Sequence, residues 1–299
     1  MVVGLVGCGR WGQYILRDLR ELGCAVHVVA RSEASIARAK TGEATKIVPD
    51  VEGLDGVGGI VVATPSSTHA EVVERSLALG VPVACEKPLC PDPRDAWRLA
   101  ELAPDRLFVL DKWRYHAGVV SLAEIARSQA LGCVRGLKTM RVGWGSQHDD
   151  VDAAWVLAPH DLAIALEILG ELLPPAAAVA QTASSRVVSL VAVMSGAATW
   201  HVLEVSERSP ERVRRVELHC DEGIAVLADG WDDHLSVFRH TGDAPDEELI
   251  PTPGELPLLA ELRAFVSHLE GGSPPRSSAA EGALVVHHIA RLRELAGTT

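Results

Sequence analysis

The sequence predicts an α/β chain in two parts. Residues 1–112 read as a doubly wound parallel sheet, and residues 113–299 as an α+β domain with a large, mostly antiparallel open sheet. Three observations predict this. Apolar runs of strand length alternate with helical patterns from the first residue onward, which calls for a parallel sheet with helices on both faces. A glycine-rich turn follows the first apolar run directly. Beyond residue 112 strand-like runs follow one another with few helices between them, as antiparallel sheets allow.

The elements follow in order. Residues 2–6 are apolar throughout, suited to a strand buried on both faces. Trp11, Ile15, Leu19 and Leu22 recur at helical spacing, and Gly23 ends that helix. Residues 25–30 form the next strand, and Ser32 is placed to cap a helix over 32–40 with Glu33 in its first turn. Strands are expected at 59–63, 81–85 and 107–110, with helices at 70–79 and 95–102. The second part opens with a helix at 117–131, a strand at 134–144 and a helix at 153–169. Strands at 176–183, 187–194, 199–205, 213–219, 224–227 and 235–239 follow, and helices near 256–269 and 279–295 close the chain. The last helix is free to pack back on the first part.

The turn Gly7-Cys8-Gly9-Arg10-Trp11-Gly12 has the spacing of a dinucleotide-binding fingerprint, and its context is right: a strand precedes it and a helix begins within it. Gly7 permits the tight turn, Gly9 lets a pyrophosphate approach the backbone, and Gly12 lets helix and strand pack closely. The helix N-terminus offers N–H groups to phosphate. The first part is therefore expected to be a Rossmann domain; the alternative is a glycine-rich turn in a similar fold that holds another ligand. Arg31 and Ser32, nineteen and twenty residues after Gly12, suit a 2′-phosphate and favour NADP. Glu33 keeps NAD open, since a carboxylate there serves the ribose hydroxyls.

Two further stretches carry a resemblance. Residues 59–89, "GIVVATPSSTHAEVVERSLALGVPVACEKPL", hold Thr64-Pro65, Thr68-His69 and Glu86-Lys87-Pro88. Residues 155–171, "WVLAPHDLAIALEILGE", hold His160 and Asp161. With the glycine turn, these closely resemble the Gfo/Idh/MocA family of sugar and inositol oxidoreductases. The resemblance covers the first domain and residues 155–171; the rest of the second domain matches only by layout.

It implies that Arg10, Trp11, Thr64, Pro65, Thr68, His69 and Glu86 line the cofactor and that Lys87 sits beside the nicotinamide and the substrate hydroxyl. A lysine there polarises the reacting oxygen, and a histidine at 160 titrates in the range useful for moving the hydroxyl proton. The bland alternatives are an exposed loop lysine and a structural helix histidine. Trp113, Arg114 and Tyr115 follow the strand at 107–110, where the family lines its cofactor and substrate cleft; a domain-junction packing cluster is the alternative. Trp144 and His148, on a strand end and loop, are weaker substrate candidates beside Asp161. The family often has an aspartate four residues before its histidine. Here that position is Val156, which leaves a different substrate, slower chemistry or no chemistry open.

Composition excludes several classes. A net charge of −12 lacks the basic face that a general nucleic-acid binder needs. No apolar run reaches the length of a membrane span. The six cysteines (8, 24, 85, 90, 133 and 220) form no CxxC pair or zinc spacing, so no metal site is expected and the thiols read as reduced. Residues 5–8 have the outline of a lipoprotein cleavage site, but what precedes them is too short for a signal core and lacks Lys and Arg. The expectation is a cytoplasmic NAD(P)-dependent oxidoreductase acting on a small sugar, nucleotide-sugar or cyclic polyol. A homodimer or homotetramer is expected to form on the open sheet. A dinucleotide sensor without turnover and an imine or double-bond reductase are the alternatives.

Overall fold

The computed structural model describes residues 1–145, 150–239 and 246–298. Two compact units share the chain: Met1–Lys112 with Leu258–Val286, and Trp113–Pro257 with His287–Thr299.

The first unit holds a six-stranded, all-parallel sheet built from β1 (Val2–Val6), β2 (Ala25–Val29), β3 (Lys46–Val48), β4 (Gly59–Val62), β5 (Val83–Glu86) and β6 (Leu107–Leu110). The order is β3-β2-β1-β4-β5-β6, so the chain reverses direction across the sheet between β1 and β4. In open sheets of this kind ligands sit at that switch point, beyond the carboxyl ends of the strands. Helices α1 (Gly12–Glu21), α2 (Glu33–Thr41), α3 (His69–Leu77) and α4 (Pro93–Leu102) connect the strands. Ser32 caps α2 by accepting from the Ser35 amide, and Asp92 caps α4 with Pro93 in its first turn. α1 buries Ile15, Leu16 and Leu19 on the sheet.

Helix α7 (Pro257–Leu269) returns to this core from the far end of the sequence. Its Leu262 and Phe265 are fully buried, and the Phe265 ring meets Phe108 edge-on at 6.5 Å. Each such side chain contributes about 1.5–3 kcal/mol by leaving water.

The second unit is an eight-stranded sheet in the order β14-β13-β12-β11-β7-β10-β9-β8. Its strands are β7 (Val134–Trp144), β8 (Pro175–Ala183), β9 (Arg186–Ser195), β10 (Trp200–Ser206), β11 (Arg208–Cys220), β12 (Gly223–Leu227), β13 (His234–Arg239) and β14 (Asp246–Pro251). Every pair is antiparallel except β10 with β7. α5 (Ala117–Ser128) and α6 (Ala153–Leu169) pack on each other and on this sheet. α6 is almost wholly apolar and almost wholly buried, as a helix that is hydrophobic all round must be. The chain ends in α8 (Ala279–Leu295), which the division between the units crosses.

The structure departs from the sequence-based elements in places with physical causes. β11 begins at Arg208, five residues earlier than expected, because a register shift between Arg208 and Val213 accommodates Pro210 without a ladder bond from its nitrogen. β14 is a polar edge strand whose acidic residues hide its period, and β3 is three residues long. α5 stops at Ser128, not Leu131, because Gln129 turns left-handed at φ 54°.

Candidate active site

The glycine turn sits where the switch point requires. Gly7 has φ +97°, and a side chain on it would lie 2.7 Å from the Ala63 carbonyl oxygen at the end of β4. A side chain on Gly12 would lie 2.2 Å from the Gly7 carbonyl oxygen. Both glycines are thus demanded by the fold. Gly9 differs: a Cβ there meets no protein atom within 4 Å. Sterics within the chain do not require glycine at that point, whereas a ligand pressed against the backbone does. No side chain caps the N-terminus of α1 and no carboxylate lies in its first turn. These residues fit a dinucleotide pyrophosphate.

The loops beyond β4 and β5 are tied to this turn. The Trp11 indole N–H donates to the Glu86 carboxylate. The Lys112 ammonium lies 4.3 Å from the centre of the Trp11 ring, a cation–π contact. Glu86 is buried, which lifts its carboxyl above the usual range against the pull of Lys87, the indole bond and Lys112. Lys87 itself is partly exposed, and the Lys87–Pro88 bond is cis. His69 is 1% exposed, and its ring bridges the Pro88 carbonyl (Nδ1, 2.8 Å) and the Thr64 carbonyl (Nε2, 2.9 Å). It clamps the two loops together from behind. The Thr68 hydroxyl bonds to the Pro65 carbonyl (2.7 Å) and lies 2.9 Å from the Thr64 hydroxyl.

Arg31 is exposed, with its Nε donating to the Pro49 carbonyl at 3.0 Å, and the Ser32 hydroxyl is engaged in capping α2. Arg10 is exposed, its carbonyl accepting from the Gln13 amide.

In the second unit His160 lies on α6, partly exposed, next to Asp161. Asp161 is 1% exposed and accepts from Arg141 Nε of β7 at 2.7 Å. It therefore anchors an arginine under the helix. The Arg141 guanidinium lies 4.3 Å from the centre of the Trp113 ring. That ring stacks on His116 at 5.0 Å and 16°, and the His116 Nε2 donates to the Gly230 carbonyl at 3.0 Å. Arg114 Nε donates to Glu167 at 3.1 Å with both side chains largely buried. Trp113 and Arg114 thus both make contacts within the second unit. Tyr115 is partly exposed. Trp144 is 73% exposed, with the Arg208 guanidinium 5.9 Å from its ring. Val156 is buried on α6. His148 lies outside the described residues.

Sequence reasoning passed over Arg141, Arg214, Lys112 and Glu261. Two of these left a signal. Arg141 stands in phase with Leu137 and Thr139, the inward positions of β7, and Glu261 stands in the apolar stripe of α7 between Leu258 and Phe265. A charge at an inward position needs a partner or a purpose.

Comparison with known proteins agrees with this geometry. Residues 1–109 match the model of an oxidoreductase family with an NAD-binding Rossmann fold, GFO_IDH_MocA. Inositol 2-dehydrogenase of Renibacterium salmoninarum is 32% identical over 142 residues, 44% of this chain and 43% of that one. The rhizopine catabolism protein MocA of Rhizobium meliloti is 34% identical over 108 residues, covering 34% of this chain and 33% of its own. The chain thus spans less than half the length of these curated relatives. Among solved structures, UDP-N-acetylglucosamine 3-dehydrogenase GnnA from Acidithiobacillus ferrooxidans shares the fold with a TM-score of 0.86 and 23% identity, over 99% of this chain and 97% of that one. A levoglucosan dehydrogenase in complex with NADH and levoglucosan gives 0.88 and 17%, over 99% and 97%. Residues 1–109 thus match the Gfo/Idh/MocA oxidoreductase family, and the likeness of the whole chain to the solved structures is one of fold.

Proposed function

We propose that the chain is an NAD(P)-dependent oxidoreductase acting on a secondary alcohol or ketone of a sugar, nucleotide-sugar or cyclic polyol. One observation carries the reading: Trp11 of the glycine turn is hydrogen-bonded to Glu86, so the lysine-bearing loop is held against the dinucleotide turn within one unit. The substrate class is supported by the inositol, nucleotide-sugar and levoglucosan dehydrogenases that the chain resembles. Gly7, Gly9 and Gly12, with Thr64 and Thr68, hold the dinucleotide. When bound, the nicotinamide supplies or accepts the hydride. The Lys87 ammonium donates to the reacting oxygen and lowers the cost of its negative charge, and His160 takes or returns the hydroxyl proton. Arg31 stands after β2 to favour NADP; NAD is the other cofactor this turn accommodates. A dinucleotide sensor without turnover is the second reading, favoured by Val156 where the family pattern has a carboxylate.

The cysteines are all unpaired thiols, which supports a reducing, cytoplasmic setting. Among the described residues no helix is long and apolar enough to cross a membrane. A homodimer or homotetramer on the open sheet completes the reading.

Tryptophan quenching on titration with NADH and then NADPH, followed by a sugar and polyol screen, tests it. Lys87→Ala and His160→Ala are expected to bind cofactor as the wild type does and to lose about 10²–10⁴-fold in turnover, the usual scale for general acid–base groups. Full activity in both variants removes this mechanism. NADPH is expected to bind more tightly than NADH, with Arg31→Asp reversing the order.

A further inference from the structure

The second unit carries a pairing that sheets ordinarily avoid. Arg141 of β7 and Arg214 of β11 stand directly opposite each other in register. Both side chains therefore leave the same face of the sheet at close range, where like charges repel. Arg141 has its answer in Asp161 and in the face of Trp113. Arg214 is held differently. Its Nη1 donates to the carbonyls of Val142 (2.5 Å) and Val213 (2.7 Å). Neutral acceptors fix the guanidinium in place without cancelling its charge. Among the described residues both bonds use Nη1, and Nε and Nη2 are left to donate elsewhere.

Arg212, on the same strand, lies 3.7 Å from Asp229. Among the described residues, the guanidiniums of Arg141, Arg212 and Arg214 thus face the carboxylates of Asp161 and Asp229 here, which offset the charge on Arg214 only in part. Burial, together with Arg141 and Arg212, pulls Arg214 down to about 10. A cation so placed gains from an anion brought against it. Arg214 is partly exposed, so a ligand can reach it.

We propose that Arg214 is the anion contact of a substrate subsite on the second unit. The sugar-like substrate carries an oxyanion, a carboxylate or a phosphate, which the planar guanidinium receives while Asp161 holds Arg141 aside. This rests on the sugar-oxidoreductase reading above and narrows its substrate class. Pre-positioning by Val142 and Val213 means that little side-chain freedom remains to be lost on binding.

Calorimetric titration of the full chain at fixed ionic strength tests the subsite without turnover. The probes are glucose, glucuronate and glucose 1-phosphate. The wild type is expected to bind one anionic sugar at least tenfold more tightly than glucose. The tighter of the two anions identifies the group as carboxylate or phosphate. Arg214→Gln is expected to erase the preference. Arg214→Lys, which keeps the charge but not the fork, is expected to fall between, and wild-type affinity in it overturns the guanidinium contact even if the glutamine variant fails to fold. Arg135→Gln, an exposed arginine paired with Asp221, controls for net charge and is expected to keep the preference. Equal binding of neutral and anionic sugars, or a preference that survives Arg214→Gln, overturns the subsite. NADH titration of the same samples separates the two readings. NADH binding without anion preference removes the subsite alone, and anion preference without NADH binding removes the dinucleotide reading and leaves the subsite.

Discussion

The contact between Trp11 and Glu86 joins two stretches seventy-five residues apart in sequence. It solves two problems at once. A buried carboxylate needs a donor, and a glycine-rich turn, entropically loose by nature, needs an anchor. The Lys112 ammonium over the indole adds a third partner on the ring face. Trp11→Phe keeps the ring and deletes the N–H. Leaving Glu86 without that donor is expected to cost about 1–3 kcal/mol in urea unfolding. It is also expected to weaken NADH binding by roughly tenfold, which corresponds to about 1.4 kcal/mol. Wild-type stability and affinity in this variant would show that the turn stands without the anchor. The sequence named both residues, through the turn and through the Glu-Lys-Pro stretch. It did not pair them, because a contact of that separation is set by how β1 and β5 lie in the sheet.

At the scale of elements, α7 is the most informative. Its apolar stripe is interrupted by Glu261, which is 2% exposed. Burial, with the carboxylates of Glu86 and Asp111, holds the Glu261 carboxyl well above the usual range, and Lys112 offsets this only in part. A carboxyl raised in the folded state keeps a proton that the unfolded chain gives up near the ordinary value of about 4.3. Its stabilising contribution is therefore complete at low pH and is lost as pH rises from there through the raised folded value. Glu261→Gln, neutral throughout, is expected to gain on the wild type as pH rises. The difference in Tm between variant and wild type should be larger at pH 8 than at pH 5, by about 2–4 °C for each kcal/mol. A difference independent of pH would mean that the carboxyl does not titrate with folding. The helix was readable from its spacing, but its destination was not: periodicity shows that a face is buried, never against which sheet.

At the scale of the whole molecule, the eight-stranded sheet leaves apolar side chains on an exposed face. Val179 of β8 and Val191 of β9 are opposed in register and are 74% and 44% exposed, and Val193 stands opposite Ala177 beside them. Exposed apolar side chains of this kind are what the proposed oligomer would cover. The double variant Val179→Lys/Val191→Lys is expected to lower the mass seen by light scattering from dimer or tetramer to monomer, with NADH binding unchanged. A wild type that is already monomeric at micromolar concentration would remove the oligomer from the proposed function.

Local pattern by itself determined the alternation of strands and helices behind the parallel sheet, the glycine turn after β1 and most of the strands beyond, though not their order in the sheet. These signals are local: apolar runs, capping residues and glycine spacing express the backbone's own limits within a few neighbours. The shifted start of β11, the return of α7 to the first core, the clamp made by His69 and the opposed Arg141 and Arg214 were decided only by tertiary structure. Each depends on which distant strand or loop lies alongside, and the free energy of a charge is set by what surrounds it, not by what precedes it in the chain.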